Sequence, residues 1–384
     1  MVFANRNRDV HRPAGTSVAA EVSTGEGNIV TQTSMRGVSR RTALLGIATL
    51  ALPALLTRRA LAADQIVVAD NGGPVCASFR EAFYDPFEKA TGINVVNITQ
   101  NVDPVAQFRL AVETGAYTSD VSLLTPGFVY RLTHPKNYLE TLDLPASATG
   151  DILPHMATAN FLGTDVWTTV FAYRTDKFGD KGPQSWADFW NVSAFPGRRA
   201  LQKSPMVCLE LALLADGVAP DKMYPIDSDR AFANLNHIKP HVDVWWTSGA
   251  QSTQLLQSDE VDMLSIWSAR AQTTIDAGTP AKIVWNQNIA SVDGWSIPKG
   301  CQKLELARKF VAFCADPARQ AAYTPTMKNG PTNTKAYDLI PQDRAVLLPT
   351  YPANRTAMVV RDDEWWGANF DKMKQRFDAW LLEG

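Results

Sequence analysis

Cysteine is scarce in this 384-residue chain: its four, Cys76, Cys208, Cys301 and Cys314, stand far apart and at no metal-ligand spacing. An amphipathic pattern over Leu304–Cys314 predicts a helix between the nearest two, holding their Cα atoms beyond the roughly 7 Å limit for a disulfide. Free, buried thiols are the expectation. Histidine is also rare, five in all. His237 and His241 have helical i, i+4 spacing, but Pro240 between them breaks a helix, so they read as surface residues and no metal is expected. The chain has no phosphate-binding glycine loop, no Gly-x-Ser-x-Gly elbow and no paired-cysteine motif, so no cofactor is expected. A catalytic nucleophile and base brought together only by folding remain an open alternative.

Long apolar runs are missing as well. The longest, Ala43 to Leu56, is broken by Pro53 and falls short of the roughly 20 residues a membrane-spanning helix needs. It follows Ser39-Arg40-Arg41-Thr42 and precedes Ala60-Leu61-Ala62, whose small residues suit a signal peptidase, so residues 1–62 read as leader and secretory signal. The adjacent arginines, with Arg58 and Arg59 before the cleavage point, resemble a twin-arginine signal, although Ala43 and Leu44 stand where bulkier apolar residues are usual. Met35 reads as the natural start, the alternative being a genuine long leader. Removing 1–62 takes away eight Lys or Arg and three Asp or Glu from totals of 37 and 39, leaving 29 basic and 36 acidic residues and a formal charge of −7. Without a basic stripe to neutralise phosphates, nucleic-acid binding is not expected.

With 45% hydrophobic and 20% charged residues, the rest has globular composition. Strand-like runs (Gln65–Ala69, Ile93–Ile98, Ser119–Leu124) alternate with helical patterns (from Pro74 through Lys89, and Val105–Glu113), which predicts an α/β fold with a mostly parallel sheet. Ligands of such sheets sit beyond the carboxyl ends of the strands, which directs attention to Gly72, Gly73 and Thr125. Trp167–Tyr173 suits an extended crossing segment, and Ser185-Trp186-Ala187-Asp188 has the form of a helix-starting capping box. Helices are expected at Val207–Ala215, Arg230–His237, Ser248–Gln257, Ala271–Ala277 and Leu304–Cys314, and strands at Asp243–Trp246, Val261–Trp267 and Ile283–Trp285. Of the 11 tryptophans, Trp186, Trp190 and Trp380 lie in core-like patterns, whereas Trp267 ends a strand, where an aromatic face can cover an alkyl chain or an ammonium group.

Four strings, Tyr84-Asp85-Pro86-Phe87-Glu88-Lys89-Ala90-Thr91-Gly92-Ile93-Asn94-Val95, Pro183-Gln184-Ser185-Trp186-Ala187-Asp188-Phe189-Trp190, Asp293-Gly294-Trp295-Ser296-Ile297-Pro298-Lys299-Gly300 and Gly330-Pro331-Thr332-Asn333, occur in that order. In them the chain resembles the spermidine/putrescine-binding family of extracellular solute-binding proteins. The resemblance implies a type II periplasmic-binding fold: two α/β lobes with central mixed sheets, joined by a two-strand hinge and closing over ligand. It also implies a small organic solute, an ABC permease as partner, a monomer and a periplasmic location. The expected lobes are residues 63–169 plus 288–333 and 170–287 plus 334–384.

Asp293 matches the family's principal amine-binding aspartate and Trp267 one of its aromatic walls. The family's other carboxylates would fall near Ser204 and Val207, neither acidic here, and Ser291 stands where an aromatic is usual. A polyamine would thus lack its second anchor, and a buried unpaired ammonium costs several kcal/mol. Arg270, three residues beyond Trp267, is suited instead to a carboxylate, with donors added near Gly72, Gly73, Ser204, Ser248 and Gln251. The expected ligand therefore has an amine at one end and a carboxylate at the other, as in an ω-amino acid such as γ-aminobutyrate. The alternatives are putrescine or spermidine, and ferric iron, against which the lack of a Tyr-Tyr pair counts. Arg270 also reads as a partner of some acidic residue, and Asp293 as a hinge or capping residue.

Overall fold

The computed structural model describes residues 64–101 and 103–383; the leader, Met35, the signal segment and its arginine pair lie outside them. Among the described residues eleven strands form one sheet: β1 (Gln65–Asp70), β2 (Asn94–Thr99), β3 (Val121–Leu124), β4 (Ala157–Thr158), β5 (Phe161–Arg174), β6 (Arg199–Gln202), β7 (Val244–Trp246), β8 (Met263–Trp267), β9 (Ala281–Ser296), β10 (Gly330–Pro331) and β11 (Val359–Val360). The main path runs β2-β1-β3-β9-β5-β8-β6-β7. At one end β2, β1 and β3 are parallel, and at the other β8, β6 and β7 are parallel. Between them the long antiparallel pair β5 and β9 runs from Leu162↔Trp295 to Arg174↔Ala281.

Each parallel set buries its own core. Ile66, Val68, Phe83, Phe87, Trp295 and Phe310 pack together in the first, and Trp186, Phe189, Leu211, Phe232, Phe377 and Trp380 in the second, as the amphipathic spacing of Trp186 and Trp380 anticipates. This is the expected arrangement of two α/β lobes joined by two crossing strands. The ladder is irregular between Thr169 and Phe171, where Trp285–Asn288 bulges out of β9 and Gln287 takes a φ of 60°. The strand expected at Ile283–Trp285 is thus only the beginning of a 16-residue β9 that carries Asp293 near its far end.

Several local signals operate as chemistry dictates. Ser185 caps the helix Trp186–Trp190 by accepting from the Asp188 N–H, while Asp188 returns the bond to the N–H of Gln184. The helix Leu304–Cys314 has the expected bounds, and all four cysteines are free, three of them buried. The helix carrying His237 ends at Ile238, a 3-10 turn covers Lys239–His241, and no group of metal-ligating side chains forms among the described residues. No described helix is long and apolar enough to cross a membrane. The C-terminal stretch divides: Ala336, Ile340, Ala345 and Leu348 pack with Ala321, whereas Trp366, Met373, Phe377 and Trp380 complete the second core.

Candidate functional site

A cavity of about 570 Å³ opens beside the crossing strands, lined among others by Asn71, Gln100, Thr125, Phe128, Asp165, Trp167, Trp267, Arg270, Asp293 and Asn329. Its size lies within the range of small-molecule sites. Four residues expected from the sequence meet there: Asp293, Arg270, Trp267 and Thr125.

Asp293 lies directly opposite Asp165 in the β5–β9 register, and the next in-facing pair along the ladder is Trp167 with Ser291. Burial pushes the Asp293 carboxyl up to about 6, opposed by the Trp167 indole N–H and the Arg361 guanidinium. Burial, then the charge of Asp293, pushes Asp165 up to about 8. Asp165 Oδ2 accepts from Asn329 Nδ2 at 2.9 Å, and its Oδ1 is buried without a partner. One end of the cavity is thus a carboxylate pair short of a cation.

The aromatic wall comes from two strands. Trp167 on β5 and Trp267 at the end of β8 meet edge to face at 6.1 Å, and Trp246 braces Trp267 from behind at 5.9 Å. Arg270 follows in the first turn of the helix Ser268–Asp276. It is exposed, and its side chain forms no ion pair or hydrogen bond among the described residues, so no acidic partner there claims it. Gly249 lies under both groups: a Cβ there would stand 2.7 Å from the Trp267 ring and 3.0 Å from Arg270 Nε.

The structure places the remaining expected residues away from the cavity wall. Ser248 and Gln251 start the helix Gly249–Gln257: Ser248 Oγ accepts from the Gln251 N–H, and Gln251 Oε1 from the N–H of Thr247. Their effect is to seat Gly249 beneath Trp267 and Arg270. Gly72 and Gly73 form a turn at φ of 68° and 56°, tied by the Gly72 N–H to Asp70 Oδ1 at 2.7 Å, and a side chain at Gly72 would collide with Thr99. That turn puts Asn71 and Val75 on the cavity wall. Ser204 precedes the helix Pro205–Ala215 and bonds its N–H to the Gln202 carbonyl. Its hydroxyl caps no amide of that helix.

Asp165, Trp167, Asn329 and a supporting pair, Arg361 and Asp363, were not anticipated. Arg361 is buried, pairs with Asp363 at 2.6 Å, donates to Ser291 Oγ at 2.7 Å and lies 5.6 Å from the Trp167 ring. It occupies the space left by the small Ser291. The i, i+2 spacing of Asp165 and Trp167 at the head of an extended run was a usable signal. For Arg361, within the polar run Arg361-Asp362-Asp363-Glu364, no sequence signal marks burial.

Two lobes, crossing strands and a polar-ended aromatic cavity lined by segments of both are the features of a protein that captures a small solute. Residues 82–353 match the family model described as bacterial extracellular solute-binding protein. The chain is 34% identical over 325 residues to the gamma-aminobutyric acid-binding protein of Pseudomonas aeruginosa, an alignment covering 83% of this chain and 91% of that one. Among solved structures it is similar to an ABC transporter substrate-binding protein from Bradyrhizobium japonicum (TM-score 0.75, 35% identity, covering 83% of this chain and all of that one). It is also similar to the Atu4243-GABA receptor (TM-score 0.74, 30% identity, covering 84% and 98%). The chain belongs to the bacterial extracellular solute-binding family. It is the periplasmic substrate-binding component of an ABC importer, works with permease subunits and is not an enzyme.

Proposed function

We propose that the solute is an ω-amino acid such as γ-aminobutyrate, with its ammonium at Asp293 and Asp165, its methylenes against Trp167 and Trp267, and its carboxylate on Arg270. The observation that carries this reading is the sorting of charge within one cavity: two facing aspartates at one place and an arginine without an acidic partner among the described residues at another. Asp165 supplies the second carboxylate that the sequence lacked near Ser204 and Val207. It does not favour a diamine, because both aspartates share one rung of the ladder and a second ammonium would face Arg270. The two relatives named for γ-aminobutyrate support the same class of ligand.

A thermal-shift panel of γ-aminobutyrate, putrescine, spermidine and glutamate tests the reading. A ligand at a thousand times its dissociation constant adds about 4 kcal/mol to native stability. The expected result is stabilisation by γ-aminobutyrate above all; stabilisation by polyamines alone overturns it. For Arg270→Ala, calorimetry is expected to show γ-aminobutyrate binding weakened by roughly a hundredfold, with Arg270→Lys recovering part, since a lysine keeps the charge and loses the bidentate fork. Equal retention of affinity in both variants removes Arg270 from the site.

The hinge in this reading lies at the ladder irregularity near Thr169 and Ile289, close to the boundaries 169/170 and 287/288. Residues 334–351 go with the first lobe, on the packing of Ile340 and Leu348 beside Ala321. A monomer and twin-arginine export complete it. A dimeric sedimentation coefficient, or undiminished export from cells lacking that pathway, contradicts the respective statement.

A further inference from the structure

Asp165 and Asp293 face each other, and among the described residues no basic side chain forms an ion pair with either. As direct partners in an antiparallel ladder their Cα atoms are about 4.5–5.5 Å apart. The surroundings of Asp165 supply no countercharge. Asn329 donates one neutral hydrogen bond to Oδ2, and Oδ1 is buried without a partner. The Tyr323 hydroxyl, with one hydrogen to give, lies 2.8 and 2.7 Å from the Thr164 and Gly330 carbonyls and, being neutral, opposes the rise at Asp165 only as a hydrogen-bonding group. From just before the C-terminal helix, Arg361 pairs with Asp363, and the two act on Asp293 in opposite directions, Arg361 favouring its charged form and Asp363 opposing it. From the helix after β8, Arg270 reaches the same cavity but forms no ion pair with either aspartate. Two ionised carboxylates so placed, Asp165 buried and Asp293 partly so, repel each other strongly.

We propose that Asp165 is a specificity residue of the site: in the empty protein it shares one proton with Asp293, held at Asp165 Oδ1, and the ligand's ammonium displaces that proton into solvent. This rests on the amine-binding role proposed above. The charge balance closes, one proton leaving as one ammonium enters, and the orphaned Oδ1 has a partner in both states. A ligand with a neutral head group, an amide or an alcohol, cannot make the exchange and is rejected. Burial and the charge of Asp293 hold Asp165 up at about 8, in keeping with a proton retained near neutrality. The empty protein holds a proton that the complex lacks, so affinity rises with pH up to about 8, by at most about tenfold per pH unit, and then levels off.

Carbon-13 NMR of the aspartate carboxyls in the purified, empty protein tests the shared proton without any ligand. One carboxyl is expected to titrate well above the ordinary range in the wild type, and that titration to disappear in Asp165→Asn. Calorimetry with γ-aminobutyrate near pH 7, in buffers of different ionisation enthalpy, tests the displacement: close to one proton released in the wild type and close to none in Asp165→Asn. Aspartates that all titrate in the ordinary range overturn the inference whether or not γ-aminobutyrate binds, and so does binding without proton release. A high-titrating aspartate in a protein that ignores γ-aminobutyrate supports the shared proton and overturns the ligand assignment alone.

Discussion

Asp293→Asn is expected to weaken γ-aminobutyrate binding by roughly a hundredfold to a thousandfold while leaving the protein folded. Asparagine has the shape of aspartate, so the β9 register and the neighbouring Gly294 are undisturbed; that glycine is required, because a Cβ there would lie 2.2 Å from the Leu162 carbonyl oxygen. The loss is electrostatic. An ammonium brought into a desolvated cavity gives up its hydration and needs a carboxylate in return, and removing one partner of such a buried charge pair costs about 3–5 kcal/mol. Asp165→Asn is expected to cost less, because Asp293 remains, relieved of the repulsion that raises the pair's proton affinity. Isothermal calorimetry on both variants gives the comparison, with circular dichroism to verify the fold. Unchanged affinity in Asp293→Asn would place the amine elsewhere in the cavity.

The alternation of strand and helix was legible because the periods differ: the β-branched run Ile66-Val67-Val68 favours a strand, and Leu304, Ala307, Phe310, Val311 and Cys314 repeat at helical spacing. The lining of the cavity was legible in part. Asp293 and Trp267 stand at strand ends, and Arg270 follows at the start of a helix, positions that α/β folds reserve for ligands. Asp165 was not found because its place on the cavity wall arises from register: only when β5 and β9 pair antiparallel does residue 165 face residue 293. Ser248 and Gln251, expected as donors to the ligand, bond within their own helix start. Polar residues at a helix start look alike whether they serve a ligand or the helix's own unsatisfied amides, and here the amides take them. Arg361 is harder still, since nothing local separates a buried arginine that fills the gap beside Ser291 from a solvated one.

The largest effect on stability is expected at Glu210, a fully buried carboxylate on the helix Pro205–Ala215. It accepts from Trp366 Nε1 at 2.6 Å, from the Tyr224 hydroxyl at 2.7 Å and from the Val207 N–H at 2.9 Å. All three partners are donors. Val207 sits at φ 82°, a conformation costly for a β-branched residue, and the Glu210 bond helps to hold it there. Glu210→Leu leaves three buried donors unanswered and is expected to lower unfolding free energy by about 3–5 kcal/mol. Glu210→Gln, which turns an amide NH2 toward at least one donor, is expected to lose about 1–3 kcal/mol. Lys374→Ala, which removes a half-exposed i, i+4 ion pair with Asp378 on the same C-terminal helix, is expected to change stability by less than about 0.5 kcal/mol. Urea denaturation of the three variants measures these differences, and equal losses in Glu210→Leu and Lys374→Ala would refute a special role for the buried carboxylate. The effect should reach the site, because Trp366 lies three residues beyond Asp363, which anchors Arg361 behind Trp167. Glu210→Leu is therefore also expected to weaken γ-aminobutyrate binding several-fold at temperatures where it stays folded, whereas Lys374→Ala leaves binding unchanged.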